Sequence, residues 1–136
     1  MDARELKTVE DAREYFANDK FAKEATGCEI EDARAGYAKC TLVLDERHYN
    51  AVGGVMGGAI YTLADYAFAI AAGMTGHMNV SLTGQISFLS ATRGKKLIAE
   101  AEMIKSGRST TYYRVTVTDD LDRLIAEVNF NGFVVG

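Results

Sequence analysis

The 136-residue chain has no proline, no tryptophan, only two cysteines and no excess of basic residues. Without proline, the turns fall to glycine and to short polar residues. Two cysteines, Cys28 and Cys40, with no CxxC or HExxH spacing, give no metal-ligand pattern, so neither metal nor other cofactor is expected. If a turn falls at Ala35-Gly36 the two thiols come nearly opposite on a hairpin. A disulfide is then geometrically open, but in a reducing compartment two free thiols are the expectation. A net charge of −4 supplies no global field for nucleic acid, so any anionic ligand must be held by a local patch.

Long apolar runs are also scarce. The opening Met1-Asp2-Ala3-Arg4-Glu5-Leu6-Lys7 lacks the apolar core of a signal peptide. The one extended run, 57–73, is at the short limit for a membrane span and carries an aspartate in its middle, which costs ~3 kcal/mol there. A cytoplasmic protein without a membrane partner is expected. The remaining composition, 48% apolar and 25% charged, is that of an ordinary globular protein, and the length fits one domain over 1–136.

Residues 8–25 read as an amphipathic helix. Thr8-Val9-Glu10-Asp11 offers an N-cap with an acid three residues on, and Val9, Ala12, Tyr15, Phe16, Phe21 and Ala22 form an apolar stripe. Segments alternating with period two follow at Cys28–Arg34, Tyr37–Leu44, Val80–Leu89, Leu97–Lys105, Tyr112–Thr118 and Ile125–Val134. The short turns 91–94, 106–109 and 119–122 join the later ones, which reads as an antiparallel meander with one apolar face needing a single cover. The cover is Gly57–Gly73, apolar nearly all round, alanine-rich and bracketed by glycine, with Gly73 placed to end the helix. The expected class is α+β: an antiparallel sheet wrapped around a long central helix, 57–73, with an N-terminal helix beside it.

Asp65 lies in the middle of that helix. A carboxylate among apolar residues must be paired, protonated or in use. The run Gly53-Gly54-Val55-Met56-Gly57-Gly58 lets backbone approach a ligand without Cβ interference, and the first N–H groups of the helix are unpaired and carry positive dipole. They can polarise a carbonyl or hold an oxyanion; the plainer reading of the glycines is a tight turn.

His48-Tyr49-Asn50-Ala51-Val52-Gly53-Gly54-Val55-Met56-Gly57-Gly58, running on to Leu63-Ala64-Asp65, resembles the HxNxxGxxHGGxxxxLxD signature of hotdog-fold acyl-CoA thioesterases, in particular the phenylacetate-pathway (PaaI-like) branch. The likeness extends over most of the chain, through Val80-Ser81-Leu82 on a later strand. It implies an acyl-CoA thioesterase, releasing free acid and coenzyme A, with Asp65 activating water or attacking the thioester itself. It implies that the Gly57 N–H polarises the thioester carbonyl, that Asn50 helps hold thioester and water, and that Ser81 supports the water or the carboxylate. It further implies a dimer, often a dimer of dimers, so a homotetramer is expected.

One position departs from the pattern: the family's histidine before the paired glycines is Met56 here. Methionine neither donates a hydrogen bond nor relays a proton, and losing one such donor typically costs ~3–4 kcal/mol. The Gly57 N–H is unaffected, and Met56 offers apolar surface to an acyl group beside Gly58. This departure favours the alternative of a non-catalytic acyl-CoA binding or sensing module. It disfavours a hotdog dehydratase, which needs the histidine. For the phosphates of coenzyme A the candidates are Arg93 and Lys95, with Lys96, and Arg108 with Lys105 across the next turn; solvated turn residues are the plainer reading. His48 and His77 read as loop residues.

Spacing adds an inference independent of the resemblance. Gly57 and Asp65 are eight residues apart, about 12 Å along one helix at ~1.5 Å per residue. A donor to the carbonyl and a base acting on the same carbonyl must both lie within ~3 Å of the reacting atoms. Two residues of one helix cannot do this, so a homodimer with two shared active sites is expected.

Overall fold

The computed structural model describes residue 2 and residues 5–135; Met1, Ala3 and Arg4 of the N-terminal stretch and Gly136 lie outside the described residues. The first helix, α1, is Val9–Phe16, and it starts as its sequence indicates. The Thr8 side chain accepts from the Asp11 N–H while the Asp11 carboxylate accepts from the Thr8 N–H, a reciprocal capping box.

The expected single helix over 8–25 is divided. Around Asn18 the chain makes local bonds that compete with helix: Asn18 Nδ2 donates to the Tyr15 carbonyl at 3.1 Å, and the Asp19 N–H to the Phe16 carbonyl at 3.1 Å. A wide π-helical stretch, Phe21–Thr26, follows and ends at Gly27, whose φ of +95° a side chain would resist. Phe21 therefore leaves the apolar stripe and stands 70% exposed.

The strands are β1 Cys28–Arg34, β2 Tyr37–Val43, β3 Asn79–Phe88, β4 Lys96–Ser106, β5 Thr110–Asp119 and β6 Leu124–Val134, all in one antiparallel sheet ordered β1-β2-β4-β5-β6-β3. The expected meander holds for β4-β5-β6 but not for β3, which pairs with β6 at the far edge, while β4 pairs with β2. Residues 91–94 are thus no hairpin turn. Segment 89–95 is a strap crossing the ends of β6 and β5, held at each step. The Leu89 N–H donates to the Ile125 carbonyl at 2.8 Å, Thr92 Oγ1 to the Asp119 carboxylate at 2.7 Å, and the Lys95 N–H to Asp120 Oδ1 at 2.9 Å. Period-two alternation specifies which face a residue takes and says nothing of which strand lies beside it.

The long helix, α2, is Gly57–Gly73. It crosses the concave face of the sheet, where Leu63, Ala64, Ala67, Ile70 and Ala71 meet Cys40, Leu42, Leu97, Ala99, Val115 and Val117, all fully buried. Small residues on both sides allow close approach, and the aromatic rings fill what is left. Phe68 stacks on Phe130 at 4.7 Å and meets Tyr113 edge-on at 5.2 Å. Gly73 does not end the helix by a left-handed turn; Met74 is the C-cap. A Cβ at Gly73 would lie 3.0 Å from the Phe16 ring, so the glycine admits α1. Both cysteines are free and buried; β1–β2 pairing sets Ile30 opposite Cys40 and Cys28 opposite Leu42. Among the described residues no helix is long and apolar enough to cross a membrane, and no group of three or more His, Cys, Asp or Glu side chains could hold a metal ion.

Candidate active site

The chain enters α2 through a loop organised by Asn50. Asn50 Oδ1 accepts from the Val52 and Gly54 N–H groups, each at 3.0 Å, and the Asn50 N–H donates to the Gly54 carbonyl at 2.7 Å. Gly53 sits at φ +85° within this turn. Behind it, His48 is buried: Nδ1 accepts from the Asp45 N–H, leaving Nε2 to donate to the Thr26 carbonyl at 2.6 Å. This histidine is a structural tie, as its loop position indicated.

Met56 is the N-cap of α2 and makes no side-chain cap; its side chain is half exposed. Among the described residues no hydrogen bond engages the Gly57 or Gly58 N–H, while the Ala59 N–H donates to the Met56 carbonyl at 3.0 Å, so the first two N–H groups of the helix are open. A Cβ on Gly57 would stand 2.9 Å from Phe88 Cζ, so the phenyl ring closes on bare backbone. A Cβ on Gly58 would meet nothing within 4 Å, so no packing contact requires glycine there.

A groove of about 530 Å³ opens against this helix start. Gly54, Val55, Gly57 and Ile60 form one wall, and Phe88 with the strap residues Leu89–Thr92 forms the other. This second wall has no signature in the sequence, because the strap exists only through the displacement of β3 to the far edge.

The apolar sequence around Asp65 implies a buried carboxylate, and here the structure differs. The helix is buried along most of its surface, but Gly58, Tyr61, Thr62, Asp65 and Ala69 follow one another along its single open stripe, and Asp65 is exposed. No hydrogen bond or ion pair engages its carboxylate among the described residues. It lines a second cavity of about 400 Å³ together with Asp19, Lys20, Phe21, Ala22, Tyr61 and Tyr66. Desolvation by this packed surrounding, and then the Asp19 charge, raise its proton affinity above the ordinary carboxylate value.

The remaining candidates fall into two groups. Arg93 and Lys95 lie on the strap, at the Gly57 end of the sheet. Arg108 lies beyond the other end of the 11-residue strand β4, and Ser81 pairs with Gly132 beside that same turn, whose Ser109 carbonyl accepts from the Val134 N–H. At ~3.3 Å per strand residue the two ends are more than 30 Å apart, so Arg93 and Arg108 of one chain cannot hold the same phosphate. The chain thus sets Gly57, in the loop-to-helix segment that runs from Asn50 through Met56 to Gly58, against the strap that continues to Arg93 and Lys95, keeps Asp65 in a separate cavity, and leaves Ser81 and Arg108 remote from Gly57.

A family model described as thioesterase superfamily matches residues 52–126, which takes in α2, the strap and β3 to β5. A putative esterase of Archaeoglobus fulgidus is 34% identical over 126 residues, covering 91% of this chain and 81% of its own length. The acyl-coenzyme A thioesterase PaaI of Escherichia coli is 29% identical over 121 residues, covering 88% and 86%. The E. coli PaaI structure superposes with a TM-score of 0.84 over 90% of each chain at 23% identity, which establishes the hotdog fold. A hypothetical thioesterase of Streptococcus pneumoniae, solved with coenzyme A, superposes with a TM-score of 0.82 at 26% identity over 89% of this chain and 97% of its own.

Proposed function

The chain belongs to the thioesterase superfamily and is a thioester hydrolase, and we propose that it hydrolyses an acyl-CoA across a homodimer interface. In this reading the Gly57 N–H of one protomer polarises the thioester carbonyl, and Asp65 of the other delivers water or attacks the carbonyl carbon. Hydrolysis by the first route adds the water oxygen to the acyl carbon, breaks the C–S bond and returns the proton to the coenzyme A thiolate. By the second, the Asp65 carboxylate displaces coenzyme A thiolate, breaking the C–S bond and forming an acyl-aspartyl anhydride; water then cleaves the anhydride to the free acid and the Asp65 carboxylate, and the proton released goes to the thiolate.

The observation that carries the reading is the separation of the two groups. Gly57 and Asp65 line different open cavities of one protomer, and each cavity holds half of what the chemistry needs. The open stripe of α2 and the free edge of β3 support a second copy as the complement. Among the described residues β3 pairs only with β6, and its side chains Val80, Leu82 and Phe88 are 46%, 58% and 56% exposed, an apolar edge suited to a partner. A two-fold partner on this edge sets one helix against the other and completes both sites at once. A tetramer, with Arg108 from a further protomer reaching a nucleotide held near Arg93 and Lys95, and a cytoplasmic setting belong to the same proposal.

The side chains Asn50 and Ser81 are secondary in it. Asn50 shapes the loop from which the Gly57 N–H emerges and retains its Nδ2 for substrate. Ser81 acts only if a partner's strand brings it to Asp65. Met56 and Gly58 face the acyl and thioester portion. Met56 in place of a donor histidine leaves the backbone N–H as the sole donor at that spot, which is also what a binding module without turnover would have.

The deciding experiment is thiol release from a panel of acyl-CoAs by the wild type beside Asp65→Asn. Release by the wild type with a loss of about 10²-fold or more in the variant supports the proposal. No release from any member, or full activity in the variant, overturns it. Tight binding without turnover in calorimetry selects the binding module instead.

A further inference from the structure

The break after α1 places a second carboxylate in the Asp65 cavity. Asp19 lies between the end of α1 and the π-helical stretch. Its N–H and carbonyl are spent on Phe16 and Lys23, but its carboxylate has no hydrogen bond or ion pair among the described residues. The neighbouring Lys20 also lines the cavity, yet its ammonium lies 3.9 Å from Glu24, one turn along, rather than on either aspartate. The other titratable side chains on that wall are Tyr61 and Tyr66 of α2. Among the described residues, two unneutralised carboxylates therefore share one cavity of about 400 Å³, one from the proposed catalytic helix and one from a chain break. Wide π-helical turns of this kind commonly occur where a helix is deformed to present a functional group.

We propose that Asp19 is a positioning residue for the thioesterase reaction, whose fixed negative charge across the cavity makes the Asp65 carboxylate a stronger base or nucleophile. The physics is like-charge repulsion. An anion beside Asp65 disfavours its ionised form, so that form gains more on accepting a proton or an acyl group. The raised proton affinity of Asp65, caused first by desolvation and then by Asp19, is in line with this. Asp19 itself is raised by partial desolvation at the cavity, and Tyr61 by desolvation and then by Asp65, in keeping with their place on one cavity wall. Asp19 touches no reacting atom in this scheme; it acts through Asp65.

The inference rests on the thioesterase reading, and its test is chosen to fail separately. Asp19→Asn removes the charge and keeps the shape at an exposed position that makes no side-chain bond among the described residues, so the variant is expected to fold, which circular dichroism checks. With a substrate from the acyl-CoA panel, the acid limb of kcat/KM against pH moves to lower pH in Asp19→Asn. Its value on the acid side then rises several-fold relative to its own plateau, with KM at the plateau unchanged. Asp19→Glu restores the limb. Added salt moves the wild-type limb down further than that of Asp19→Asn, because only the wild type has the Asp19–Asp65 repulsion to screen. An acid limb that does not move in Asp19→Asn, or that Asp19→Glu does not restore, overturns the proposal. Carboxyl titration of 13C-aspartate-labelled protein, with Asp65→Asn identifying the Asp65 resonance, reads the same effect without turnover. If the wild type hydrolyses nothing, the thioesterase reading falls, while the titration still decides whether Asp19 acts on Asp65.

Discussion

Asp119→Ala tests whether the wall of the Gly57 groove is held from the sheet. Asp119, the last residue of β5, is 1% exposed, and its carboxylate takes three donors: Thr92 Oγ1 at 2.7 Å and the Leu121 and Arg123 N–H groups at 3.0 Å each. The first pins the strap to the sheet, and the other two close the β5–β6 turn. Alanine leaves all three without an acceptor at roughly 1 kcal/mol each, a loss of about 3 kcal/mol. With an unfolding entropy of about 2.1 cal/mol/K per residue over this chain, Tm falls by about 10 °C. Asp119→Asn keeps one acceptor oxygen and loses roughly 1 kcal/mol.

The pH dependence sharpens the test. Burial pushes the Asp119 carboxyl up, but the hydrogen bonds from Thr92, Arg123 and Leu121, with the Arg123 charge, outweigh it and hold the group below its ordinary value. A folded value below the unfolded one contributes stability above the unfolded value of about 3.9, and loses it as pH falls through the folded value. The gap between wild type and Asp119→Ala is thus full at neutral pH and narrows in acid. Differential scanning fluorimetry across pH reads it. A Tm change under about 2 °C at neutral pH, or a gap that stays constant into acid, refutes the reasoning. Because Thr92 lines the groove, KM for the acyl-CoA substrate rises in the same variant, and Thr92→Val reproduces the rise in KM with a smaller loss of Tm.

Other outcomes follow from single contacts. Gly58→Ala relieves a glycine in a helix without meeting a neighbour, so it raises stability by about 0.5 kcal/mol in urea titration; activity that falls while stability rises assigns the glycine to ligand approach, and unchanged activity removes Gly58 from the site. Tyr113 is fully buried with an unpaired hydroxyl among the described residues, so Tyr113→Phe is neutral to about 1 kcal/mol stabilising by chemical unfolding; destabilisation means the hydroxyl has a partner. Burial pushes the Cys28 thiol up to about 12 and raises Cys40 as well, so a thiol reagent labels both only at the rate of global unfolding; fast labelling of the native protein contradicts the packing.

Local signals in the sequence correspond to local features of the structure. The Thr8 cap, the β1–β2 turn at Gly36 with φ +76°, the strand segments and the full length of α2 follow from residue spacing, because capping, turn strain and burial periodicity act within a few residues. The bulge between Met103 and Lys105 on β4 was not legible; it ends the alternation of Leu97, Ala99 and Ala101, and leaves Met103 and Ile104 both exposed. The break at Asn18 was hidden for a similar reason, since helix propensity over 8–25 is adequate and side-chain bonds to nearby backbone decide the outcome.

By itself, the sequence determined that one apolar helix is covered by an antiparallel sheet, that Gly57 and Asp65 sit eight residues apart upon it, and that this spacing forbids them to act on one carbonyl from one chain. Each is a consequence of periodicity along the chain. The tertiary structure alone decided that β3 travels to the far edge, that the resulting strap walls the Gly57 groove, that Asp65 lies on the open stripe of its helix, and that Asp19 faces it. These depend on which strand pairs with which and on where a helix breaks, and both are settled by packing between segments distant in sequence, which no local pattern encodes.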